Sequence, residues 1–438
     1  MYREAIEKLY EWKERINHKP LIIRGARQVG KTWLMKEFGS KAFSQVAYIN
    51  FDSNSIMSQL FSSDLDTKRL INGIEIYTGI KINPADTLII FDEIQEVPKA
   101  LSSLKYFNEN APEYYIICAG SLLGIALHSG TSFPVGKVEF LDLCPLSFNE
   151  YLLANHKDNF VNLLKKQDYE MITNFKDYYI DELRKYYYIG GMPEVVEAYS
   201  LRHDFNEVRE IQKRILIAYE QDFSKHAPNQ EVPRIRTIWN SIPQELAKEN
   251  KKFLYGLLKE GARAKEYETA LMWLSDCGLV YKVYRVNTPN IPLSAYEDNK
   301  AFKLFFLDVG LLSSMASLSQ YALLNGNEIF KEFKGALTEQ YVLEQLKSNR
   351  DLPIYYYSNE KSTAEIDFLI NYGDLVVPIE VKAETNLMAK SLKVYNEKYH
   401  PKVSIRLSMS NYKKEEWLIN LPLYAISNIT KEINDWAI

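Results

Sequence analysis

The stretch LIIRGARQVGKTW, residues 21–33, decides the fold of the first part of the chain. Within it, Gly25-Ala26-Arg27-Gln28-Val29-Gly30-Lys31-Thr32 follows the spacing G-x-x-x-x-G-K-[ST]. The two glycines let the backbone curl until its N–H groups point inward at phosphate oxygens. Lys31 brings a fixed positive charge to the β and γ phosphates, and Thr32 offers a hydroxyl to magnesium. LIIR ahead of the loop reads as a buried strand. TWLMKEF behind it reads as a helix whose positive end faces the same phosphates. The nucleotide-binding run is therefore expected to extend from Gly25 to Trp33.

Working outward, TLIIFDEIQ (87–95) is an apolar run that ends in Asp92-Glu93. A buried strand of this kind delivers Asp92 to the magnesium shell and leaves Glu93 placed to polarise an attacking water. The alternative is that both acids cap the next helix. A further run, YYIICAGS (114–121), ends in Ser121, which either contacts the γ-phosphate or caps a helix. With QVAYINFD (45–52) and KVEFLDL (137–143), these runs alternate with helical stretches, the pattern of a parallel sheet covered on both faces. Nothing in the loop separates hydrolysis from phosphoryl transfer to another acceptor. Glu93 favours hydrolysis, and no acceptor-binding motif is evident.

At 438 residues the chain is too long for one ordinary core, so several domains are expected. Hydrophobic residues make up 46% and charged residues 25%, a globular composition. The formal net charge of −4 gives no global attraction for nucleic acid, so any such surface must be a local patch. The three cysteines, Cys118, Cys144 and Cys277, lie far apart and suit neither a disulfide framework nor a zinc site, which fits a reducing cytoplasm. The most apolar run, YYIICAGSLLGIAL, is shorter than the roughly 20 residues that a membrane span needs, so no membrane partner is expected. At the N-terminus, Ile6, Leu9, Tyr10 and Ile16 recur at helical spacing and predict an amphipathic helix.

Taken together, RGARQVGKTW, LIIFDEIQ, ICAGSLLGIAL, FPVGKVEFLDLCPLSFNEYL, YYYIGGMPEVV, EIDFLI and PIEVK resemble a group of bacterial and archaeal AAA-type ATPases related to the STAND and archaeal-ATPase clades. Members of that group carry a C-terminal domain of uncharacterised function. The resemblance implies a Walker A loop at Gly25–Thr32, Walker B acids at Asp92 and Glu93, and a sensor residue at Ser121. It also implies ATP binding with hydrolysis, and a winged-helix-like middle domain. Relatives often carry arginine near the position of Lys137; Arg184 and Arg263 are further candidates for an arginine finger.

In the middle region a helix is predicted to start near Ala264, with Tyr267, Leu271 and Leu274 on one face and Gly278 at its stop. LVYKVYRV then alternates as a strand. Helix, tight stop and β-ribbon predict a winged helix, a module that often docks on DNA. Residues 205–290 hold 14 basic and 11 acidic residues, a mild excess, so a packing module that transmits the nucleotide state is the alternative.

The last hundred residues predict a different site. KGALTEQYVLEQLKS reads as a helix carrying Glu339, followed by the strand IYYYS. EIDFLI and LVVPIEVKA then form a hairpin across the turn NYGD, with a helix and VSIRLS behind. The order α-β-β-β-α-β is that of the PD-(D/E)XK nuclease core, and Glu339, Asp367, Glu380 and Lys382 match its polar positions. Glu380 and Lys382, two apart, share one strand face. Asp367 and Glu380 would hold a second Mg²⁺ or Mn²⁺ while Lys382 orients water. A catalytically inert hairpin with a Lys382–carboxylate salt bridge is the alternative.

The expected architecture is thus α/β and multidomain. It comprises a P-loop AAA-type domain (1–150), a helical lid (151–204), a winged-helix-like domain (205–300), a connector (301–329) and a PD-(D/E)XK-like domain (330–438). The expected ligands are ATP and Mg²⁺. DNA, a protein partner or further copies of the chain are the candidate macromolecular partners.

Overall fold

The computed structural model describes residues 1–120, 133–248, 252–321, 331–349, 352–358, 365–384 and 390–437. It divides into two compact units. One comprises Tyr2–Cys144 with Met272–Leu279; the other comprises Pro145–Leu271 and Val280–Ile438, together with Met1.

The first unit is built on five parallel strands: β1 (Leu21–Arg24), β2 (Gln45–Asn50), β3 (Thr87–Asp92), β4 (Tyr115–Ala119) and β5 (Glu139–Asp142). Their order is β2-β3-β4-β1-β5. Each expected strand is present, and the helices Lys31–Ala42, Ser55–Ser63, Thr67–Thr78 and Pro98–Asn110 alternate with them. All six residues of β3 are buried, which is why the sequence shows an unbroken apolar run there. Because β4 lies between β1 and β3, the loop after β1 and the acids after β3 flank the end of β4.

The N-terminal helix, Ala5–Glu14, buries Ile6 and Leu9 as expected, but its third anchor is Trp12. Ile16 lies beyond the helix end and is 96% exposed. The apolar spacing runs one turn beyond the helix: Arg15 is already extended, and the indole N–H of Trp12 donates to the Lys19 carbonyl to fix the exit.

The second unit holds an eight-stranded mixed sheet made from β6 (Val280–Val286), β7 (Glu297–Phe306), β8 (Ile354–Ser358), β9 (Glu365–Tyr372), β10 (Leu375–Val381), β11 (Ser404–Ser408), β12 (Lys413–Lys414) and β13 (Leu418–Pro422). The order is β12-β13-β11-β10-β9-β8-β6-β7. The expected helix of the middle region is present at Ala264–Asp276, and Gly278 follows it in the left-handed region at φ 71°. The ribbon after it is not a separate wing. β6 pairs antiparallel with β7 and also parallel with β8, so the pair extends the C-terminal sheet. The expected connector, 301–329, opens inside β7 and continues into the helix Val309–Met315.

The helix Lys331–Asn349 and the elements β8, β9, β10, Lys390–Tyr399 and β11 follow in the α-β-β-β-α-β order. The β9–β10 turn is tighter than NYGD: Asn371 and Tyr372 are paired, and the reversal occupies Gly373 and Asp374. Pro378 pairs with Leu369 across the hairpin, and the parallel ladder to β11 begins one residue later at Ile379, so the missing N–H falls where that ladder starts.

Within this unit, Gly190-Gly191-Met192 separate the helices Lys176–Ile189 and Pro193–Arg202. A Cβ on Gly190 would sit 2.2 Å from Asp308 Oδ1, and one on Gly191 would sit 2.2 Å from the Leu146 carbonyl oxygen. Asp308 is fully buried and accepts from the N–H of Gly191 at 2.6 Å and from the N–H of Leu311 at 2.8 Å. Two glycines are therefore required for this carboxylate to cap the helix Val309–Met315 and bind the break together.

Candidate active site

The loop after β1 places its residues by backbone conformation. Gly25 and Gly30 have φ 146° and 93°, and Gln28 is left-handed at φ 66°. A Cβ on Gly25 would lie 2.3 Å from the Leu143 carbonyl oxygen, so only glycine lets the loop pass the exit of β5. Ala26 and Val29 are buried, Arg27 is half-buried, and Gln28 and Trp33 are exposed.

Lys31 opens the helix Lys31–Ala42. Its Nζ donates to the carbonyls of Gly25 at 2.9 Å and Ala26 at 2.7 Å, folding the side chain back into the loop. Burial pulls its pKa down to about 8, and the carboxylates of Glu93 and Asp92 oppose that shift.

Thr32 Oγ1 donates to Asp92 Oδ2 at 2.7 Å. The same oxygen accepts from the Tyr48 hydroxyl at 2.9 Å, and Oδ1 accepts from the N–H of Glu93 at 3.1 Å. Tyr48 lies on β2, where neighbouring Asn50 is in register with Asp92. Burial raises the phenol's pKa, and the bond to Asp92 adds to that. The Lys36 ammonium sits 3.8 Å from the centroid of the Tyr48 ring.

Glu93 is left-handed at φ 50°, a conformation rare for a side chain of this size. Its Oε2 accepts from Gln95 Nε2 at 2.6 Å. Neither Asp92 nor Glu93 caps the helix Pro98–Asn110; the short 3-10 turn Ile94–Glu96 intervenes. Ser121 lies outside the described residues. Lys137 pairs with Glu109 at 2.8 Å and Arg184 lies 3.8 Å from Asp181, while Arg263 is exposed.

Three features of this site were not read from the sequence. Arg3, buried, donates from Nη1 to the Val29 carbonyl at 2.8 Å and from Nη2 to the Cys144 carbonyl at 2.6 Å, bracing the loop. Tyr48 shares Asp92 with Thr32. Gly278 closes against the loop: a Cβ there would lie 3.2 Å from the Ala26 nitrogen. Gly278 was legible only as a helix stop, and neither Arg3 nor Tyr48 belongs to a motif.

The C-terminal residues also come together. Asp367 Oδ2 accepts from the Val381 N–H at 2.7 Å across the hairpin, and Lys382 Nζ pairs with Glu380 Oε1 at 2.6 Å. Burial pushes the Asp367 carboxyl well up, and the nearby charges of Glu339 and Glu380 push it further. Glu380 is raised too, first by burial, with Lys382 opposing. The unexpected member is Lys303 of β7. It is 1% exposed, with Nζ 2.5 Å from Glu365 Oε1 and 3.9 Å from Glu339 Oε2. The carboxylates do not fit the expected metal centre. No set of three or more His, Cys, Asp or Glu side chains among the described residues is arranged to hold a metal ion. Asp367 and Glu380, the expected ligands, are instead engaged by the Val381 N–H and by Lys382.

Residues 17–152 match the family model described as "AAA domain". Residues 180–322 and 334–425 match two models described as domains of unknown function, DUF8612 and DUF4143. No curated protein matches the chain. Among solved structures, the Walker-type ATPase PABY2304 of Pyrococcus abyssi is 16% identical, with a TM-score of 0.46 over 72% of this chain and 95% of that one. The Aeropyrum pernix ORC1 protein, solved in complex with DNA, is 11% identical, with a TM-score of 0.28 over 73% and 93%. Cdc6p from Pyrobaculum aerophilum is 13% identical, with a TM-score of 0.24 over 73% and 94%. The AAA match and the loop geometry make the first unit a P-loop, ATPase-like domain. Among the described residues, no helix is long and apolar enough to cross a membrane.

Proposed function

We propose that the chain is a magnesium-dependent ATPase whose nucleotide state governs its C-terminal, nucleic-acid-directed domain. The observation that carries the first half is the clustering of a buried Lys31 with the Thr32–Asp92 pair at the end of a parallel sheet. The backbone N–H groups from Gly25 to Trp33 and the Lys31 ammonium bind the phosphates of ATP. Thr32 and Asp92 supply a hydroxyl and a carboxylate, the hard oxygen donors that Mg²⁺ prefers. When bound, the ion neutralises charge on the phosphates. Glu93 takes the proton from the attacking water as a P–O bond forms at the γ-phosphorus and the bond to ADP breaks, releasing ADP and phosphate. Ser121 is assigned to the γ-phosphate side of the same site.

Phosphate release with Mg²⁺ and ATP tests this reading. Lys31→Ala should abolish nucleotide binding or turnover, and Glu93→Gln should bind ATP without turning it over. Unchanged turnover in Lys31→Ala would overturn the assignment.

The element order from Lys331 to Ser408 and the grouping of Glu339, Asp367, Glu380 and Lys382 support a nuclease-related module that binds or processes DNA. A second reading is favoured by Lys303: the module is a recognition platform without metal chemistry, and ATP controls assembly with a protein partner or with further copies of the chain. Nicking of supercoiled plasmid with Mg²⁺ or Mn²⁺, present in the wild type and lost in Lys382→Ala, would support processing. Intact plasmid in both supports the platform.

A further inference from the structure

The Gly25–Ala26 peptide of the nucleotide loop is held by three neighbours. The exit of β5 is one: a Cβ on Gly25 would meet the Leu143 carbonyl oxygen at 2.3 Å. The Lys31 ammonium is the second, donating to the carbonyls of Gly25 at 2.9 Å and Ala26 at 2.7 Å. The third is the turn that follows the helix Ala264–Asp276. A Cβ on Gly278 would lie 3.2 Å from the Ala26 nitrogen, 3.7 Å from the Gly25 carbonyl carbon and 3.8 Å from the Ala26 Cα, all atoms of this one linkage. Gly278 is left-handed at φ 71°, and Cys277 and Leu279 on either side of it are buried, so the turn cannot back away without unpacking.

An ammonium has three N–H donors. Lys31 spends two of them on loop carbonyls. Gripping both the β- and γ-phosphates takes two, so nucleotide binding has to free at least one carbonyl and loosen the linkage on which Gly278 packs. The chain carries that change onward. Residues Met272–Leu279 belong to the compact unit of the nucleotide loop, whereas Leu271 before them and Val280 after them belong to the other unit. Val280 opens β6, a strand of the sheet that also holds Asp367 on β9 and Glu380 on β10.

We propose that the turn Cys277–Leu279 is the relay of the nucleotide state: it packs on the Gly25–Ala26 peptide while that peptide holds the Lys31 ammonium, and it is released when the ammonium turns to phosphate. The proposal rests on the ATPase reading and names the element through which that site is regulated. Packing of the turn and binding of nucleotide then oppose each other. Whatever weakens the packed turn raises nucleotide affinity, and nucleotide loosens the turn by the same factor.

Two measurements on the full-length chain test this. In the first, hydrogen exchange of the wild type is followed by mass spectrometry with and without Mg²⁺ and a non-hydrolysable ATP analogue. The amides of Cys277, Gly278 and Leu279 donate to the carbonyls of Trp273, Ser275 and Leu274. They should exchange about tenfold faster with the analogue bound. In the second, analogue affinity is measured by calorimetry in Gly278→Ala. The new methyl presses on the packed linkage and not on a released turn, so affinity should rise about fivefold or more. A methyl that only damaged the loop would lower it. Gly79→Ala is the control for backbone strain, because Gly79 also ends a helix, at φ 69°, with nothing within 4 Å of an added Cβ. Its affinity should stay within about twofold of the wild type. Unchanged or slower exchange at Cys277–Leu279 would overturn the relay, as would weaker binding in Gly278→Ala. If Gly278→Ala does not fold, the exchange measurement decides alone. A wild-type chain that binds no analogue overturns the ATPase reading and the relay together; binding without these changes overturns the relay only.

Discussion

Thr32 Oγ1 and Asp92 Oδ2 lie 2.7 Å apart although 60 residues separate them in the chain, and the Tyr48 hydroxyl reaches the same oxygen at 2.9 Å. Two hydroxyls thus converge on one oxygen of the carboxylate proposed to serve Mg²⁺. Tyr48→Phe removes a donor that competes for it. The magnesium concentration giving half-maximal turnover should fall about two- to fivefold, as expected for losing one hydrogen bond of roughly 0.5–1 kcal/mol net. A magnesium titration of phosphate release checks this; a rise would count against the assignment.

Lys31 gives the site a pH signature. Its pKa is lowered to about 8 by burial, so the ammonium becomes neutral as pH rises through that value. Nucleotide affinity should therefore be flat below about pH 7 and fall by up to tenfold per pH unit above 8. The stability of the nucleotide-free protein should move the other way. A lysine whose folded pKa lies below the unfolded 10.5 adds stability as pH rises from about 8 to 10.5. Calorimetric titration with a non-hydrolysable ATP analogue at pH 7 and pH 9 would separate the two effects.

Gln95 holds Glu93 by a 2.6 Å hydrogen bond while the backbone of Glu93 is left-handed. Glu93→Gln should lower turnover by about 10²–10⁴-fold, the usual worth of a general base. Gln95→Ala leaves the acid in place but loosens it, so turnover should fall by about tenfold or less with nucleotide affinity unchanged. Parallel measurement of kcat and of ATP-analogue binding distinguishes orientation from binding.

Asp308 predicts a stability effect far from the chemistry. Burial raises its carboxyl to about 6 even though backbone N–H groups of Gly191, Leu311 and Gly310 pull it down. Its folded pKa lies above the unfolded 3.8, so its contribution is fully present below that value and lost as pH rises through 6. Asp308→Asn should flatten the pH dependence of the melting temperature between pH 4 and 6. Gly190→Ala, whose new methyl would meet Asp308 at 2.2 Å with φ at 75°, should destabilise by about 3 kcal/mol or more. Thermal melts across that pH range check both.

The nucleotide site was legible because its parts are local: a loop with fixed glycine spacing, and a buried strand ending in two acids. Asp92 and Glu93 could be named from nine residues of sequence. Tyr48 could not, because it looks like any strand tyrosine until β2 is laid beside β3. The hairpin of Asp367 and Glu380 was legible for the same local reason. Lys303 was not, since its partners Glu339 and Glu365 come from a helix and a strand much later in the chain. The strand at 280–286 was correctly read as a strand, but its parallel neighbour β8 is supplied about 70 residues on. A free ribbon and a strand pair that extends a larger sheet are identical in local pattern, so the pairing of β6 with β8 could not be read from the segment itself.

Residues Met272–Leu279 belong with Tyr2–Cys144 in one compact unit, and Gly278 approaches the nitrogen of Ala26. This imposes an order on biosynthesis. As the chain leaves the ribosome, the five-stranded sheet can be made once residue 142 has emerged, but the approach of Gly278 to the nucleotide loop is added only after residue 279 has followed. A nascent chain stalled between those points carries every residue of the nucleotide motif and lacks that contact. Maturation of the nucleotide site is thereby tied to synthesis of the middle of the protein.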